Sequence, residues 1–316
     1  MKWKKLGHIF DFSTSQLRSS FVSHAQSPQA VVFEDFVRVY FTSRIKDTEK
    51  TFLSIPQFVD FSKDFKTIIQ YSDNEIISRG KLGCFDEHGI FPFSPCFVDG
   101  IFYAYTSGWC RRISVDVDGG IGLAVSNDNG KSFARLGDGP ILSASLYEPF
   151  LVIDPFVRKF NNVYYMFYIR GVKWSDTSPP ERVYKISYAT SRNGIDWPKT
   201  NTLIIQNTLG DDECQALPTV IEINGVYHIY FCYRKMADFR TEADNGYRIG
   251  YAYSDDLKKW VRDDDLGGLT LSSSGFDSEM MCYPNIFKMD NQVYLLYNGN
   301  NFGKQGFGLA ILEDVK

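Results

Sequence analysis

Ile153-Asp154-Pro155-Phe156-Val157, then Val163-Tyr164-Tyr165-Met166-Phe167, then Ile186-Ser187-Tyr188-Ala189-Thr190-Ser191, Asn193-Gly194 and Trp197 follow one another in mid-chain and set the pattern for the whole sequence. One unit consists of a proline, an aliphatic-aromatic strand with Phe or Tyr at its fifth position, a second strand, a turn and an outer aromatic residue. The first of these strands recurs as Val37–Phe41, Ile101–Tyr105, Val163–Phe167, Val226–Tyr230 and Val293–Tyr297. Successive copies begin 64, 62, 63 and 67 positions apart. A fixed period of that length, with several strands per unit, is the signature of a propeller. The expected fold is therefore all-β, a five-bladed β-propeller over residues 1–316 in a single domain.

The second strand and its turn repeat as well. Ile121–Ser126 leads to Asn129-Gly130 and Phe133, and Ile249–Ser254 leads to Asp255-Asp256-Leu257 and Trp260. Asn-Gly supplies the positive φ of a tight hairpin turn. The last copy, Phe307–Leu312, runs to the C-terminus with no outer strand after it, whereas Trp3-Lys4-Lys5-Leu6-Gly7 has the form of an outer strand with no inner strands before it. Residues 2 to 10 are thus predicted to complete the fifth blade and close the ring, leaving no long edge exposed.

Composition narrows the function. A net charge of −4 and the lack of a basic block argue against nucleic acid as the main ligand. The start of the chain lacks the apolar run of a signal peptide and no stretch reaches membrane-spanning length, so no membrane insertion is expected. Cys84, Cys96, Cys110, Cys214, Cys232 and Cys282 form no CxxC pair and no zinc spacing. These features point to a reduced, cytoplasmic protein, and no metal or cofactor is expected.

Innermost strands of a propeller line its channel, so residues at one repeat position converge there. Counted back from Pro28, Pro95, Pro155, Pro218 and Pro284, Glu87 stands eight before its proline, Glu148, Asp211 and Asp277 seven, and Glu213 and Glu279 five. The first unit offers His24 and Gln26 instead. Carboxylates gathered in a cleft repel one another unless a cation, a substrate or a proton relieves them, and glycoside chemistry uses such sets. Solvated turn-formers or ligands of a structural cation remain alternatives for the same residues. Trp109, Arg111, Arg112, Arg170, Trp174, Tyr233, Arg234, Asn298 and Asn300 leave the aromatic strands toward the same end. Their side chains suit stacking on sugar rings or bonding to hydroxyls and phosphates; of these, Trp109, Arg112, Trp174, Arg234 and Asn300, with His24 and Asp277, are the expected substrate-binding residues.

Ile153-Asp154-Pro155-Phe156-Val157 resembles the Arg-Asp-Pro-x-Val strand of glycoside hydrolase family 32, and Asp212-Glu213-Cys214 resembles that family's Glu-Cys motif. The repeated proline, strand, Asn-Gly and Trp layout is also similar to families 43 and 130. The resemblance implies a carbohydrate-active enzyme, with Asp154 stabilising the transition state and Glu213 as general acid. The family's nucleophile has no counterpart, because Ser27-Pro28 stands where family 32 has Asp-Pro. Phe85–Gly89, Gly275–Met280 and Tyr297–Asn300 resemble the glycosidase-like propellers encoded near surface-polysaccharide biosynthesis genes, which implies Glu87, Glu148, Glu213 and Glu279 as active carboxylates. Hydrolysis, transfer and phosphorolysis stay open, with a sugar or oligosaccharide as substrate, and so does a glycan-binding propeller that has lost catalysis.

Overall fold

The computed structural model describes residues 1–17, 19–49 and 51–314. Strand β1 (Lys2–Asp11) leads the chain. The first blade is β2 (Phe21–Val32), β3 (Phe36–Lys46), β4 (Phe52–Ser62) and β5 (Ile68–Tyr71). The second is β6 (Ile90–Val98), β7 (Ile101–Cys110), β8 (Asp118–Ser126) and β9 (Ala134–Arg135), and the third is β10 (Val152–Phe160), β11 (Val163–Trp174), β12 (Arg182–Ser191) and β13 (Lys199–Leu203). The fourth holds β14 (Glu213–Ile223), β15 (Val226–Lys235), β16 (Arg248–Ser254) and β17 (Val261–Arg262). The fifth holds β18 (Cys282–Met289), β19 (Gln292–Asn298) and β20 (Gly306–Asp314), with β1 as its outer strand.

These five antiparallel sheets form a five-bladed propeller, and β1 closes it as the repeat predicts. The register runs from Lys2 opposite Asp314 to Asp11 opposite Gly306. The recurring aromatic residues explain how neighbouring blades adhere. Tyr40 meets Phe133 edge-on at 6.0 Å, Tyr105 meets Trp197 at 5.9 Å, Phe167 meets Trp260 at 5.9 Å and Tyr230 meets Trp3 at 5.6 Å. Each pair joins the second strand of one blade to the outer aromatic of the next, and edge-to-face geometry suits the ring quadrupoles. Trp3 therefore occupies the place of Trp197 and Trp260, and its indole also donates to the Tyr230 hydroxyl at 3.0 Å.

The turns repeat down to single bonds. Ser126, Ser191 and Ser254 each accept from the backbone N–H of Gly130, Gly194 and Leu257 through Oγ, at 2.8, 3.0 and 3.0 Å. Leu257 takes φ +63° where the other two blades have glycine, a conformation that costs a branched side chain about 1–2 kcal/mol.

The inner strands carry the feature that builds the site. In four blades the residue before the repeat proline has a positive φ: Ser27 (+52°), Asp154 (+57°), Leu217 (+48°) and Tyr283 (+57°). The pairing register shifts at each of these points, between Gln26 and Gln29, Ile153 and Phe156, Ala216 and Thr219, and Cys282 and Asn285. Proline disfavours the right-handed helical region for the residue before it, and a bulge re-aims a side chain. Asp154, Leu217 and Tyr283 are turned into the channel in this way.

Candidate active site

A cavity of about 420 Å³ opens at the end of the channel where the inner strands begin, and all five blades contribute to its wall. Asp154 lies at its base, 5 % exposed. Its N–H donates to Ser107 Oγ at 3.1 Å, and Oδ2 accepts from the Leu217 N–H at 3.3 Å. Burial pushes the Asp154 carboxyl up to about 7, against the smaller opposing pull of that N–H and of the Arg182 charge. A carboxyl of this kind carries a proton close to neutrality.

The other charged groups on the wall are mostly guanidinium. Arg111 is held by Asp47 at 2.7 Å and by the Phe52 carbonyl at 2.8 Å, and Arg240 pairs with Glu181. Arg234 is buried and committed: it donates to the carbonyls of Lys235 (2.8 Å) and Met236 (3.2 Å) and to the Tyr184 hydroxyl (2.9 Å). Arg44 is different. Burial lowers its pKa, and its guanidinium makes no hydrogen bond or ion pair among the described residues. Arg182 has only Glu181, 3.9 Å away. Blades I and III thus each turn a weakly partnered cation toward the cavity of Asp154, an arrangement suited to an anionic ligand.

Tyrosines and other aromatics complete the wall. The hydroxyls of Tyr184 and Tyr247 bond to each other, and burial raises the pKa of both and of Tyr283, so these phenols stay neutral. Phe91 and Trp109 stand on the second-blade side, and Phe239 and Phe302 on the fourth- and fifth-blade side.

The expected funnel of glutamates does not form, because none of the four lines this cavity. Glu213 is fully buried and bound by Arg262 (2.6 Å), Gln215 Nε2 (2.8 Å) and the N–H groups of Thr208 (2.8 Å) and Leu209 (2.9 Å). Burial raises its pKa, but Gln215, Thr208 and Arg262 outweigh that and hold it below the usual carboxylate range. Such a group is an anchor for an ion pair rather than a proton donor. Glu148 is gripped by Lys199 (2.7 Å), the Tyr168 hydroxyl (2.9 Å) and Arg170 (3.3 Å). Glu87 accepts from the Gly83 N–H at 2.6 Å and lies 3.3 Å from His88, while Glu279 is exposed. Carboxylates five to eight residues before the proline sit in the approach loops or at the very start of the strand, where Glu87, Glu148, Glu213 and Asp277 each meet a donor and Glu279 faces solvent. In the third, fourth and fifth blades the residue next to the proline is the one swung by the bulge into the cavity.

Two of the expected substrate-binding residues, Trp109 and Arg234, line the cavity. His24 is buried beside Ser23 Oγ (2.6 Å), and burial with the charges of Arg44 and Lys304 holds it neutral, with a pKa of about 3. Asp277 ties β1 to its blade through Lys5 (2.7 Å) and the Tyr297 hydroxyl (3.0 Å). Asn300 accepts from the N–H groups of Glu279 (2.8 Å) and Met280 (3.0 Å), and Arg112 pairs with Asp118 in the loop after β7. Trp174 ends β11 opposite Arg182, outside the cavity wall. Sequence reading missed Arg44, Arg182, Tyr184, Tyr247, Tyr283 and Phe302. Part of the signal was there: Tyr184 and Tyr247 each stand two residues before the repeat isoleucine, and Tyr283 holds the Asp154 position one blade pair on.

No family model matches the sequence. A solved structure of a thermostable family-43 glycoside hydrolase superposes with a TM-score of 0.66 at 14% identity, covering 97% of this chain and 94% of that one. A 142-residue stretch, 44% of this chain and 40% of the relative, is 32% identical to the 1,2-beta-oligomannan phosphorylase of a Thermoanaerobacter species. The uncharacterized proteins Rv1502 and MT1551 of Mycobacterium tuberculosis are 31% identical over 315 residues, 99% of this chain and 100% of theirs. On that full-length match the chain belongs to the family of these mycobacterial proteins, built on the five-bladed propeller that it shares with glycoside hydrolases.

Proposed function

We propose that this protein is a carbohydrate-active enzyme that cleaves a glycosidic bond by phosphorolysis, with Asp154 as proton donor and Arg44 and Arg182 as the seat of phosphate. One observation carries the reading: the buried carboxyl of the cavity wall is raised by burial to about 7, while the weakly partnered charges around it are cationic. Two-carboxylate hydrolysis places its pair about 5 or roughly 6.5–9.5 Å apart. The other carboxylate on this wall, Asp116, is exposed in the loop between β7 and β8.

Phosphate can take the role of the second carboxylate. One of its oxygens attacks the anomeric carbon as the bond from that carbon to the leaving oxygen breaks, and Asp154 passes its proton to the leaving oxygen. The phosphate hydroxyl then returns a proton to Asp154, so the products are a glycosyl phosphate and the shortened sugar. The partial match to a 1,2-beta-oligomannan phosphorylase supports phosphate as acceptor in place of water. Six free cysteines support a reducing compartment, hence the cytoplasm and a sugar handled inside the cell, such as one from polysaccharide assembly.

Incubating the protein with β-1,2-linked oligomannosides and a panel of other disaccharides, with and without phosphate, tests this. Glycosyl phosphate should form only with phosphate, fall on the order of 10²–10⁴-fold in Asp154→Asn, and require more phosphate in Arg44→Ala and Arg182→Ala. Phosphate-independent hydrolysis, or full activity in Asp154→Asn, overturns it. Sugar binding without any turnover would leave a glycan-binding propeller, the reading that Ser27 favours as the first-blade counterpart of Asp154.

A further inference from the structure

We propose that Phe302 is the platform on which a sugar ring stacks, and that it selects pyranosides with an unbroken apolar C–H face. The proposal rests on the cavity being a carbohydrate site. Phe302 belongs to the short turn Asn300–Gly303 between β19 and β20 and lies on the cavity wall, half-buried.

Its backbone is strained. Asn301 and Phe302 take φ +54° and +58° in succession, and Gly303 follows at +79°. Two adjacent side-chain-bearing residues in the left-handed region persist only where the surroundings over-determine them. Here they do. Gln26 Nε2 donates to the Phe302 carbonyl at 2.9 Å, the Asn300 N–H donates to Phe276 O at 2.6 Å, and the Lys304 N–H donates to Asn301 O at 3.2 Å. Asn298 lies against Gly303 and bonds Gly306 O (2.6 Å) and Ala25 O (2.8 Å). The whole apparatus fixes one ring at the cavity, because Phe302 is the side chain that the turn sends there.

The ring meets its aromatic neighbours at right angles and carries no stacked partner among the described residues. It stands perpendicular to Phe239 (6.0 Å, 86°) and Tyr247 (6.2 Å, 88°). Among the described residues no ring stacks on it and no cation lies over it. Phe239, by contrast, carries Arg234 at 3.4 Å and Arg240 at 4.1 Å, and Trp109 carries Arg111 at 5.5 Å and tilts against His88 at 5.6 Å. An aromatic ring fixed on the same cavity wall as the Asp154 carboxyl and the weakly partnered Arg44 and Arg182 presents an apolar surface to a ligand that is otherwise hydroxyl-rich, and a pyranose with contiguous axial C–H bonds has the matching surface.

Calorimetric titration of the full chain with β-1,2-mannobiose, cellobiose and lactose tests the platform through Phe302→Ala, Phe302→Leu and Phe302→Tyr. Loss of the ring should weaken the disaccharide that binds wild type by about tenfold in both Ala and Leu, with Tyr close to wild type and phosphate affinity unchanged. Leu restores apolar volume without a ring, so a merely structural Phe302 would give wild-type binding in Leu. That result, or undiminished binding in Ala, overturns the proposal, as does wild type binding none of the three sugars. Ring-dependent sugar binding without phosphate-dependent turnover would sink phosphorolysis and keep the platform. Normal binding in Leu with turnover lost in Asp154→Asn would do the reverse.

Discussion

At the scale of single residues, two buried carboxyls are tuned in opposite directions. Asp154 rises from an ordinary 3.8 to about 7, because burial dominates and its compensating partners are weak. Glu213 falls below an ordinary 4.5, because Gln215, Thr208 and Arg262 more than offset burial. The sign of each shift sets its effect on stability. The native state binds the Asp154 proton more tightly than the unfolded chain does, so the stabilisation is complete below about pH 4 and is lost as pH rises toward 7. Glu213 contributes above its ordinary value, and that contribution is lost as pH falls through its lower folded value. Denaturant titration should therefore find Asp154→Asn close to wild type at pH 4 and more stable at pH 8, by an amount on the order of a few kcal/mol. Glu213→Gln should lose about 3 kcal/mol at pH 7, the cost of leaving Arg262 short of its partner. An Asp154→Asn protein no more stable than wild type at pH 8 would mean that burial does not raise the Asp154 carboxyl in the native state. The acid was hard to identify from sequence for this reason: Glu213 has the more suggestive motif, but its donors come from Arg262 and Thr208, which the motif does not contain.

At the scale of elements, β1 is the most informative strand. Its assignment was legible because Trp3 repeats the outer-aromatic position of Trp197 and Trp260, and the edge-on contact with Tyr230 bears this out. Trp3→Ala removes that contact and the indole hydrogen bond, and should cost about 3 kcal/mol, the lower end for a large aromatic because Trp3 is only partly buried. Deleting residues 2–11 leaves β20 as an unpaired edge and should yield aggregates on size exclusion. A soluble, cooperatively folding deletion would show that β1 decorates the fifth blade without completing it. The bulges of β2, β10, β14 and β18 were not legible in the same way. A residue before proline is barred from the right-handed helical region, but the choice between extended and left-handed backbone is made by the pairing of each inner strand with its neighbour.

At the scale of the whole molecule, the ring brings together groups far apart in the chain. Arg44, Asp154, Arg182, Tyr247 and Phe302 come from four blades and meet in one cavity. Closure by β1 and β20, with Lys2 opposite Asp314, predicts that the ring tolerates relocation of its seam. A permutant joining residue 314 to residue 2 by a short Gly/Ser linker, and opened in the turn between β8 and β9, should unfold in one transition and keep its sugar affinity. Two separated transitions would instead divide the chain into more than one cooperative unit.

The sequence by itself determined the number of blades, the order of strands in each, the turns and the closing strand, because these follow from local periodicity and from contacts that recur at a fixed spacing. It also marked Asp154, Trp109 and Arg234 as residues of interest. Only the tertiary structure decided which charges reach the axis. That depends on bulge geometry and on donors supplied by strands distant in sequence: Arg262 of β17 withdraws Glu213, Lys199 of β13 and Arg170 of β11 withdraw Glu148, and Arg44 and Arg182 stay weakly partnered beside a carboxyl raised by burial. Spacing from a proline records position along the chain, whereas protonation and exposure are set by whichever neighbours the closed ring brings within a few ångströms.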